Sequence, residues 1–319
     1  MEHLIEIKNL NVEFHTERAV TKALNGVNLT IDAGESVGLV GESGAGKTTT
    51  ALSMLQMLPK PVGRFTDGDI LYKGNSLMKM SERKMTDIRG NKISMIFQNP
   101  LTSLNPVFSV GEQIAMVLRR HRKLGKKEAM KEAQRLMEMV SIPGERFNDY
   151  PVQFSGGMRQ RIGIAAGLAC NTELLIADEP TTALDVTIQA QVLMLLKELQ
   201  KKENTALLMI THNLGIVSEL CEKVAVMYGG QIIEYGLVQE VFANPAHPYT
   251  VGLLGSLPKL TGPRDELYSI PGTVANPQHL PSGCYFHPRC EHCTQECEKN
   301  SPKMIKLNEN HYVACFRHM

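Results

Sequence analysis

One glycine-rich segment constrains the fold of this chain more than any other part of the sequence. Residues 41–49 read Gly-Glu-Ser-Gly-Ala-Gly-Lys-Thr-Thr; an apolar run at 36–40 precedes them and a helical pattern over 48–58 follows. A G-x-x-x-x-G-K-[ST] element between a strand and a helix forms a loop whose backbone amides, together with the helix N-terminus, face an anion. We therefore expect a strand, a phosphate-binding loop and a helix, in that order.

The residue types in this loop indicate what each contributes. Glycine allows the tight turns and the close approach of backbone to phosphate that such a loop requires. The Lys47 ammonium is expected to reach the β- and γ-phosphates of a nucleotide, and the Thr48 hydroxyl is expected to ligate Mg²⁺. The predicted phosphate-binding residues are Gly41, Ser43, Gly44, Ala45, Gly46, Lys47, Thr48 and Thr49.

A pair of carboxylates forms a second candidate site. Asp178 and Glu179 follow the apolar run 174–177. The carboxyl edge of a parallel sheet is where such a fold presents its ligand-binding residues. Asp178 is suited to a role at Mg²⁺. Glu179 is expected to point elsewhere and is suited to polarising an attacking water.

Apolar runs alternate with helical patterns over most of the chain. They predict strands over 4–8, 11–14, 36–40, 93–97, 174–178 and 206–211, helical structure over 109–140 and 186–202, and a hairpin over 223–235 that turns at Gly229 and Gly230. The alternation predicts an α/β fold with a mainly parallel sheet. After about residue 241 prolines recur and helical patterns are weak, so a domain boundary is expected there.

Charge and hydropathy exclude several classes of protein. The net charge of +1 gives no bulk attraction to nucleic acid. No apolar run approaches the roughly 18 residues of a membrane span. The N-terminus lacks the basic and apolar regions of a signal peptide. We therefore expect a cytosolic protein, or a peripheral subunit if it serves a membrane.

Three elements in order extend the match beyond a single motif. Residues 41–49, 154–158 (Phe-Ser-Gly-Gly-Met) and 174–180 resemble, in order and spacing, the nucleotide-binding subunits of ATP-binding cassette (ABC) transporters. The resemblance implies a P-loop ABC fold with a mainly parallel sheet, an antiparallel β subdomain and a helical subdomain over about 99–160. It also implies an ATPase that binds ATP and Mg²⁺ and works as a closing dimer.

The same resemblance assigns roles to residues outside the phosphate loop. Gln98, after the strand at 93–97, matches a glutamine that senses the γ-phosphate and Mg²⁺. His212, after the strand at 206–211, matches a histidine near the γ-phosphate. Phe14 lies where the family stacks an aromatic ring on adenine, although an ordinary place in the core of a strand suits it equally well.

Further matches concern a partner subunit. Ser155, Gly156 and Gly157 match the signature sequence that contacts ATP bound by the opposite subunit. The segment Ala183-Leu184-Asp185 matches the loop that crosses the dimer interface. Three departures from the common family pattern are Phe154, Met158 and Asn213.

The last quarter of the chain resembles a narrower group. Residues 247–258 and 281–290 resemble the extension on ATPases of oligopeptide, dipeptide and nickel importers. Five of the seven cysteines lie in this region. In this subfamily the spacing C-x5-C-x6-C-x17-C resembles the ligand set of a 4Fe–4S cluster. Those four residues are Cys284, Cys290, Cys297 and Cys315.

The metal at these cysteines is left open by their spacing. Cys293 is extra, and Cys290-x2-Cys293 is a spacing that also suits zinc. Thiolates serve both metals, so a cluster, a zinc ion and a metal-free site remain alternatives. We expect this region to lie far from Lys47 and Glu179, and therefore to have a structural or partner-docking role. Loss of a metal is expected to loosen this segment and to leave the ATP site largely intact.

The resemblance as a whole implies an ATP-hydrolysing subunit that powers import of di- or oligopeptides. It implies a second, different ABC ATPase as partner, two membrane-spanning permease subunits and an extracytoplasmic solute-binding protein, at the cytoplasmic face of the membrane. A nickel or other metal-chelate importer is the alternative, and a soluble non-transport ABC ATPase is a further one. The cargo and the choice between homodimer and heterodimer stay open. The expected domains are a cassette over 1–240 and an extension over 241–319.

Overall fold

The computed structural model describes residues 2–98, 104–181, 184–257 and 269–319, which form two compact units. The first unit comprises Met1–Ile31, Ser36–Met78 and Ile210–Met319, and the second comprises Asp32–Glu35 and Lys79–Met209. Each unit therefore combines segments that are distant in the sequence.

The first unit begins with five strands and one helix. These are β1 (Ile5–His15), β2 (Val20–Ile31), β3 (Ser36–Val40), α1 (Lys47–Met54), β4 (Gly63–Tyr72) and β5 (Asn75–Ser76). Four of the strands form an antiparallel sheet in the order β2-β1-β4-β5. The strands predicted over 4–8 and 11–14 are the single strand β1, because a bulge around Asn9 shifts the register without ending the pairing. Helix α1 ends earlier than predicted, since Gln56 adopts a left-handed φ of 50°.

The second unit contains three buried strands and five helices among the residues described. In chain order these are α2 (Glu82–Ile88), β6 (Ile93–Ile96), α3 (Val110–Arg122), α4 (Lys126–Met139), α5 (Gly156–Gly167), β7 (Leu174–Asp178), α6 (Val186–Glu203) and β8 (Ala206–Ile210). The strands lie in the order β8-β7-β6, and β6 runs parallel to β7. All three are buried throughout, which explains their continuous apolar sequence. The helical region predicted over 109–140 is two helices, because Lys123 takes a left-handed φ of 54° between them.

The first unit resumes after β8. Its remaining elements are α7 (Leu214–Leu220), β9 (Lys223–Tyr228), β10 (Gln231–Leu237), α8 (Val238–Ala243), α9 (Pro248–Gly255), α10 (Gln295–Lys299), β11 (Ile305–Asn308) and β12 (His311–Val313). The predicted hairpin is β9 and β10, and both of its turn glycines have positive φ. Strands of this unit lie in the order β11-β12-β10-β9-β3, with β3 parallel to β9. The C-terminal extension thus adds β12 beside β10 and β11 beside β12, which the sequence pattern did not predict.

The predicted α/β class is confirmed. Parallel strands, an antiparallel sheet and a group of helices are all present. Of the helices within the described ranges, none is long and apolar enough to cross a bilayer.

Candidate functional site

The glycine-rich loop connects the buried strand β3 to helix α1. A Cβ atom at Gly41 would lie 2.2 Å from the backbone oxygen of Met227, and one at Gly46 would lie 2.8 Å from that of Ala23. Both glycines also have a φ in the left-handed region. A Cβ at Gly44 would instead meet nothing within 4 Å. The loop is therefore closely packed against the protein at Gly41 and Gly46 and open at Gly44, as a loop that admits a ligand must be.

Lys47 is the first residue of α1 and its side chain folds back over the loop. Its Nζ donates to the backbone oxygens of Gly41, at 2.7 Å, and of Glu42, at 2.9 Å. The N-cap residue is Gly46, which has no side chain to occupy the first N–H groups of the helix. Thr48 is exposed beside them. An ammonium, a hydroxyl and a helix N-terminus thus converge at one loop, which suits binding of a phosphate.

His212 is placed close to the start of this loop. The Thr211 amide donates to the oxygen of Leu39 on β3, at 3.4 Å, and His212 is the next residue and is exposed. Asn213 then caps α7, because its Oδ1 accepts from the amides of Gly215, at 2.9 Å, and Ile216, at 3.4 Å. The departure from the family pattern at position 213 therefore keeps a side chain that caps the following helix.

Phe14 lies in β1, opposite Thr21 and Gly63. It is half-buried and is not part of the fully buried core. Its proposed contact with adenine stays a prediction.

In the second unit, two predicted residues lie in contact. Gln98 Nε2 donates to Glu179 Oε2 at 2.9 Å. Glu179 has a φ of 45°, which is strained for a residue with a Cβ and is often found at functional sites. Asp178, one residue earlier, is 1% exposed at the end of β7. The two neighbouring carboxyl groups therefore have different surroundings: Asp178 is buried, whereas Glu179 is half-buried and accepts from Gln98.

Gln160 supports this strained segment, and sequence reasoning missed it. The residue is buried on α5, and its Nε2 donates to the backbone oxygen of Pro180 at 3.0 Å. Pro180 follows Glu179 directly, so this bond fixes the chain next to the left-handed residue. No local pattern indicates a partner 20 residues away in the sequence.

The predicted signature sequence starts helix α5. Ser155 is exposed and is the N-cap of α5, since its Oγ accepts from the Met158 amide at 3.4 Å. A Cβ at Gly156 would meet nothing within 4 Å. Gly157, the next residue, is half-buried in the first turn of the helix. A 12-residue helix thus begins at an open surface, where its N-terminus can receive an anion.

The remaining departures in this region have a packing role. Phe154 is buried, and the Arg146 guanidinium carbon lies 4.0 Å from the centroid of its ring. The sulfur of Met158 lies 3.9 Å from Arg146 Nη1.

Of the segment assigned to the dimer interface, Asp185 caps α6 by accepting from the Ile188 amide at 2.9 Å. Ala183, assigned with Asp185 to an interface loop, lies outside the described residues.

The phosphate loop is in direct contact with the C-terminal extension. Arg289 donates to both carboxylate oxygens of Glu42, at 2.7 and 3.2 Å. The Glu42 amide donates to the Tyr249 hydroxyl at 2.8 Å. The expectation that the extension lies far from Lys47 is therefore wrong. Local sequence could not show this contact, because it joins residues 247 positions apart.

Four cysteines of the extension line one cavity. They are Cys284, Cys290, Cys297 and Cys315, whereas Cys293 is not part of its lining. Burial raises the pKa of Cys284 to about 11, and the neighbouring thiols of the other three add to the shift. Across the described ranges, no group of three or more His, Cys, Asp or Glu is arranged to hold a metal ion. The four cysteines whose spacing resembles a cluster ligand set thus share one cavity, and Cys293 does not line it.

Comparison with known proteins agrees with the fold and the loop. The family described as "ABC transporter" matches residues 24–182, and the family described as "Oligopeptide/dipeptide transporter, C-terminal region" matches residues 233–297. The dimeric structure of the ATP-binding cassette MJ0796 bound to ADP and Pi has a TM-score of 0.67 at 26% identity, over 73% of this chain and 98% of that chain. Fold and loop therefore define an ATPase of the ABC class.

Relatives of known name indicate which group of ABC ATPases the chain resembles. The oligopeptide transport ATP-binding protein AppD of Bacillus subtilis is 48% identical over 99% of this chain and 97% of its own length. The oligopeptide transport ATP-binding protein OppD of Haemophilus influenzae is 44% identical over 99% of this chain and 98% of its own length. The chain belongs to the ATP-binding subunits of the oligopeptide/dipeptide family of ABC transporters.

Proposed function

We propose that this protein hydrolyses ATP to power the import of di- or oligopeptides. The observation that carries the proposal is the match of residues 233–297 to the oligopeptide/dipeptide transporter C-terminal region, since the cassette alone is common to many ABC transporters. Relatives named as oligopeptide transport proteins, which match almost the whole chain, support the same cargo class.

In the first unit, residues 41–49 would hold the nucleotide phosphates. Lys47 would reach the β- and γ-phosphates, and His212 would sense the γ-phosphate from the segment beside β3. Phe14 would stack on adenine. The open face at Gly44 and the N-terminus of α1 support this assignment.

In the second unit, Glu179 would act as the base that polarises the attacking water. The Gln98 amide that donates to Glu179 would orient the carboxylate towards that water. Asp178 would offer Mg²⁺ a carboxylate oxygen, and Thr48 of the first unit is likewise suited to be a ligand through its hydroxyl, since oxygen ligands are those that this ion prefers. When bound, Mg²⁺ neutralises charge on the phosphates. Gln160 would keep the strained segment after Glu179 in place.

The open N-terminus of α5 supports a partner cassette. Ser155, Gly156 and Gly157 would contact ATP held by the partner, and Asp185 would lie at the interface. We propose a second, different ABC ATPase as that partner, two membrane-spanning permease subunits and an extracytoplasmic solute-binding protein. The chain would then act as a peripheral subunit at the cytoplasmic face of the membrane. Its cassette would span 1–240, with the helical subdomain at about 99–160, and its extension 241–319.

We propose a 4Fe–4S cluster at the four cysteines, with a zinc ion as the alternative. Such a cluster is held by four cysteine thiolates. Four cysteines around one cavity, with Cys293 outside it, fit that requirement. When bound, the cluster would cross-link the extension.

The test compares Glu179→Gln with Glu198→Gln, an exposed carboxyl on α6, in the complex purified with its membrane subunits and reconstituted in vesicles. We expect Glu179→Gln to lower ATP hydrolysis by about 10²–10⁴-fold, with ATP binding retained, because it removes the positioned base. Glu198→Gln should hydrolyse ATP as the parent does. Hydrolysis by Glu179→Gln within twofold of the parent would refute the catalytic assignment.

The cargo is tested in the same vesicles. Labelled di- and oligopeptides should accumulate in an ATP-dependent way with the parent complex and not with Glu179→Gln. Uptake of a nickel chelate, with no uptake of peptides, would replace the peptide assignment by the metal-chelate alternative.

A further inference from the structure

Arg289 of the extension is firmly held against the phosphate loop. Its side chain is only 4% exposed, and both of its Nη atoms donate to the carboxylate of Glu42. Its Nε donates to the backbone oxygen of Pro271 at 2.9 Å. The guanidinium carbon also lies 5.8 Å from the ring centroids of both Tyr228 and Phe286. A bidentate pair in such an environment is stronger and more directional than an exposed ion pair.

Glu42 is fixed through its backbone as well as its side chain. Its N–H donates to the Tyr249 hydroxyl, while its carbonyl oxygen accepts from Lys47 Nζ at 2.9 Å and from the Ala45 amide at 3.2 Å. Burial raises the pKa of Tyr249, so the group that accepts this bond is a neutral hydroxyl. Two side chains of the extension, Arg289 and Tyr249, therefore act on a residue inside the phosphate loop.

The charge of Glu42 gives Arg289 a second effect. A carboxylate inside a loop that receives phosphate repels its ligand unless a cation compensates it. Arg289 is that cation, and it lies on the side of Glu42 that faces the extension. We propose that Arg289 and Tyr249 are positioning residues for the nucleotide site: they fix the loop through Glu42, and Arg289 also cancels its charge. The inference rests on the proposed role of residues 41–49 in binding the nucleotide.

This arrangement connects the cysteine-lined cavity to the nucleotide site. Arg289 directly precedes Cys290, one of the four cysteines of the cavity, and Phe286 lines the same cavity. Phe286 also packs on the Tyr249 ring, with centroids 5.4 Å apart. Rearrangement of the extension would therefore move the two side chains that hold Glu42.

The experiment measures binding of the fluorescent analogues mant-ATP and mant-ADP, with Mg²⁺, to the purified full-length chain. Arg289→Ala should weaken both analogues by about tenfold, the size expected for loss of one charge-assisted contact. Both should weaken alike, because the loop contacts phosphates that the two nucleotides share. Tyr249→Phe, which removes only the hydroxyl, should weaken both by about threefold. Arg289→Lys, which keeps the charge and loses the bidentate geometry, should fall between Arg289→Ala and the parent.

A rescue separates positioning and charge from a merely structural role. In the Arg289→Ala background, Glu42→Gln removes the uncompensated carboxylate and should restore at least half of the lost affinity on a logarithmic scale. Lys306→Ala, which removes an exposed cation from β11 of the same extension, should bind as the parent does. Arg289→Ala affinity within twofold of the parent, or no recovery in the double variant, overturns the proposal.

Two further comparisons distinguish a failed proposal from a variant that does not fold and from a wrongly assigned nucleotide site. If Arg289→Ala does not fold, Arg289→Lys and Tyr249→Phe decide the question, and parent-like affinity in both overturns the proposal. Lys47→Ala tests the underlying nucleotide site separately. Unchanged affinity in Lys47→Ala refutes the proposed phosphate site, whereas weakened affinity in Lys47→Ala with parent-like Arg289→Ala refutes only the positioning role.

Discussion

Replacing Glu234 with alanine is expected to destabilise the protein by about 3–5 kcal/mol. The carboxylate is fully buried on β10 and accepts from three buried groups that belong to the extension. These donors are the Ala246 amide at 2.8 Å, the His247 amide at 2.9 Å and His311 Nε2 at 2.6 Å. Glu234 therefore joins β10 to both β12 and the start of α9.

The magnitude follows from the donors that would be left without an acceptor. A buried donor without a partner costs about 1–3 kcal/mol, so three donors give an upper figure of roughly 9 kcal/mol. Water entering the space left by the carboxylate would satisfy part of this demand, which lowers the expected cost to about 3–5 kcal/mol. Glu234→Gln should lower stability less than Glu234→Ala, because the amide oxygen of glutamine still accepts a hydrogen bond. Some stability should still be lost, since the NH₂ group must then face one of the donors.

The assay is urea unfolding of the full chain, combined with hydrogen exchange of the amides in β12. Glu240→Ala is the matched control, since Glu240 accepts from Asn308 Nδ2 of the same extension at 3.4 Å, near the surface. We expect about 0.5 kcal/mol for that control. A loss below about 1 kcal/mol for Glu234→Ala, with unchanged exchange in β12, would show that the carboxylate does not hold the extension.

Three other predictions concern pH, the partner and the cysteines. Burial, with a smaller contribution from His318, lowers the pKa of His247 from 6.5 to about 3. Between these two pH values the unfolded chain binds a proton that the folded chain does not, so the free energy of unfolding should fall with decreasing pH by up to about 1.4 kcal/mol per pH unit. His247→Asn should make the free energy of unfolding less dependent on pH in this range. In a mixed complex, Ser155→Ala on this chain should slow hydrolysis at the partner's phosphate loop; equal rates at both sites would contradict a shared site. Anaerobically purified protein should be brown and contain iron, and Cys284→Ser should lose both while Cys293→Ser retains them; a colourless protein with one zinc per chain would contradict the cluster.

The local elements around the glycine-rich loop could be predicted from the sequence. The order of strand, glycine loop and helix around Lys47 follows from residues that contact each other within a few positions, so a short pattern suffices. The hairpin at Gly229 and Gly230 is local in the same sense. The helical regions predicted over 48–58, 109–140 and 186–202 are present, but others such as α2 and α7 were not predicted. The first two predicted regions end or break differently, because Gln56 and Lys123 take left-handed conformations that no periodicity reveals. The roles of the individual site residues and the domain boundary near 241 stay predictions.

Contacts between side chains that are distant in the sequence are visible only in the folded chain. The contact of Gln98 with Glu179 spans 81 positions, and that of Arg289 with Glu42 spans 247. Such pairs depend on the path of the whole chain, since nothing in the residues around one partner specifies the other. Strands β11 and β12 are short; β12 pairs with β10, β11 pairs with β12, and Glu234 of β10 accepts from the buried His311. The extension was expected to lie far from the nucleotide site, and only the folded chain places it against the phosphate loop.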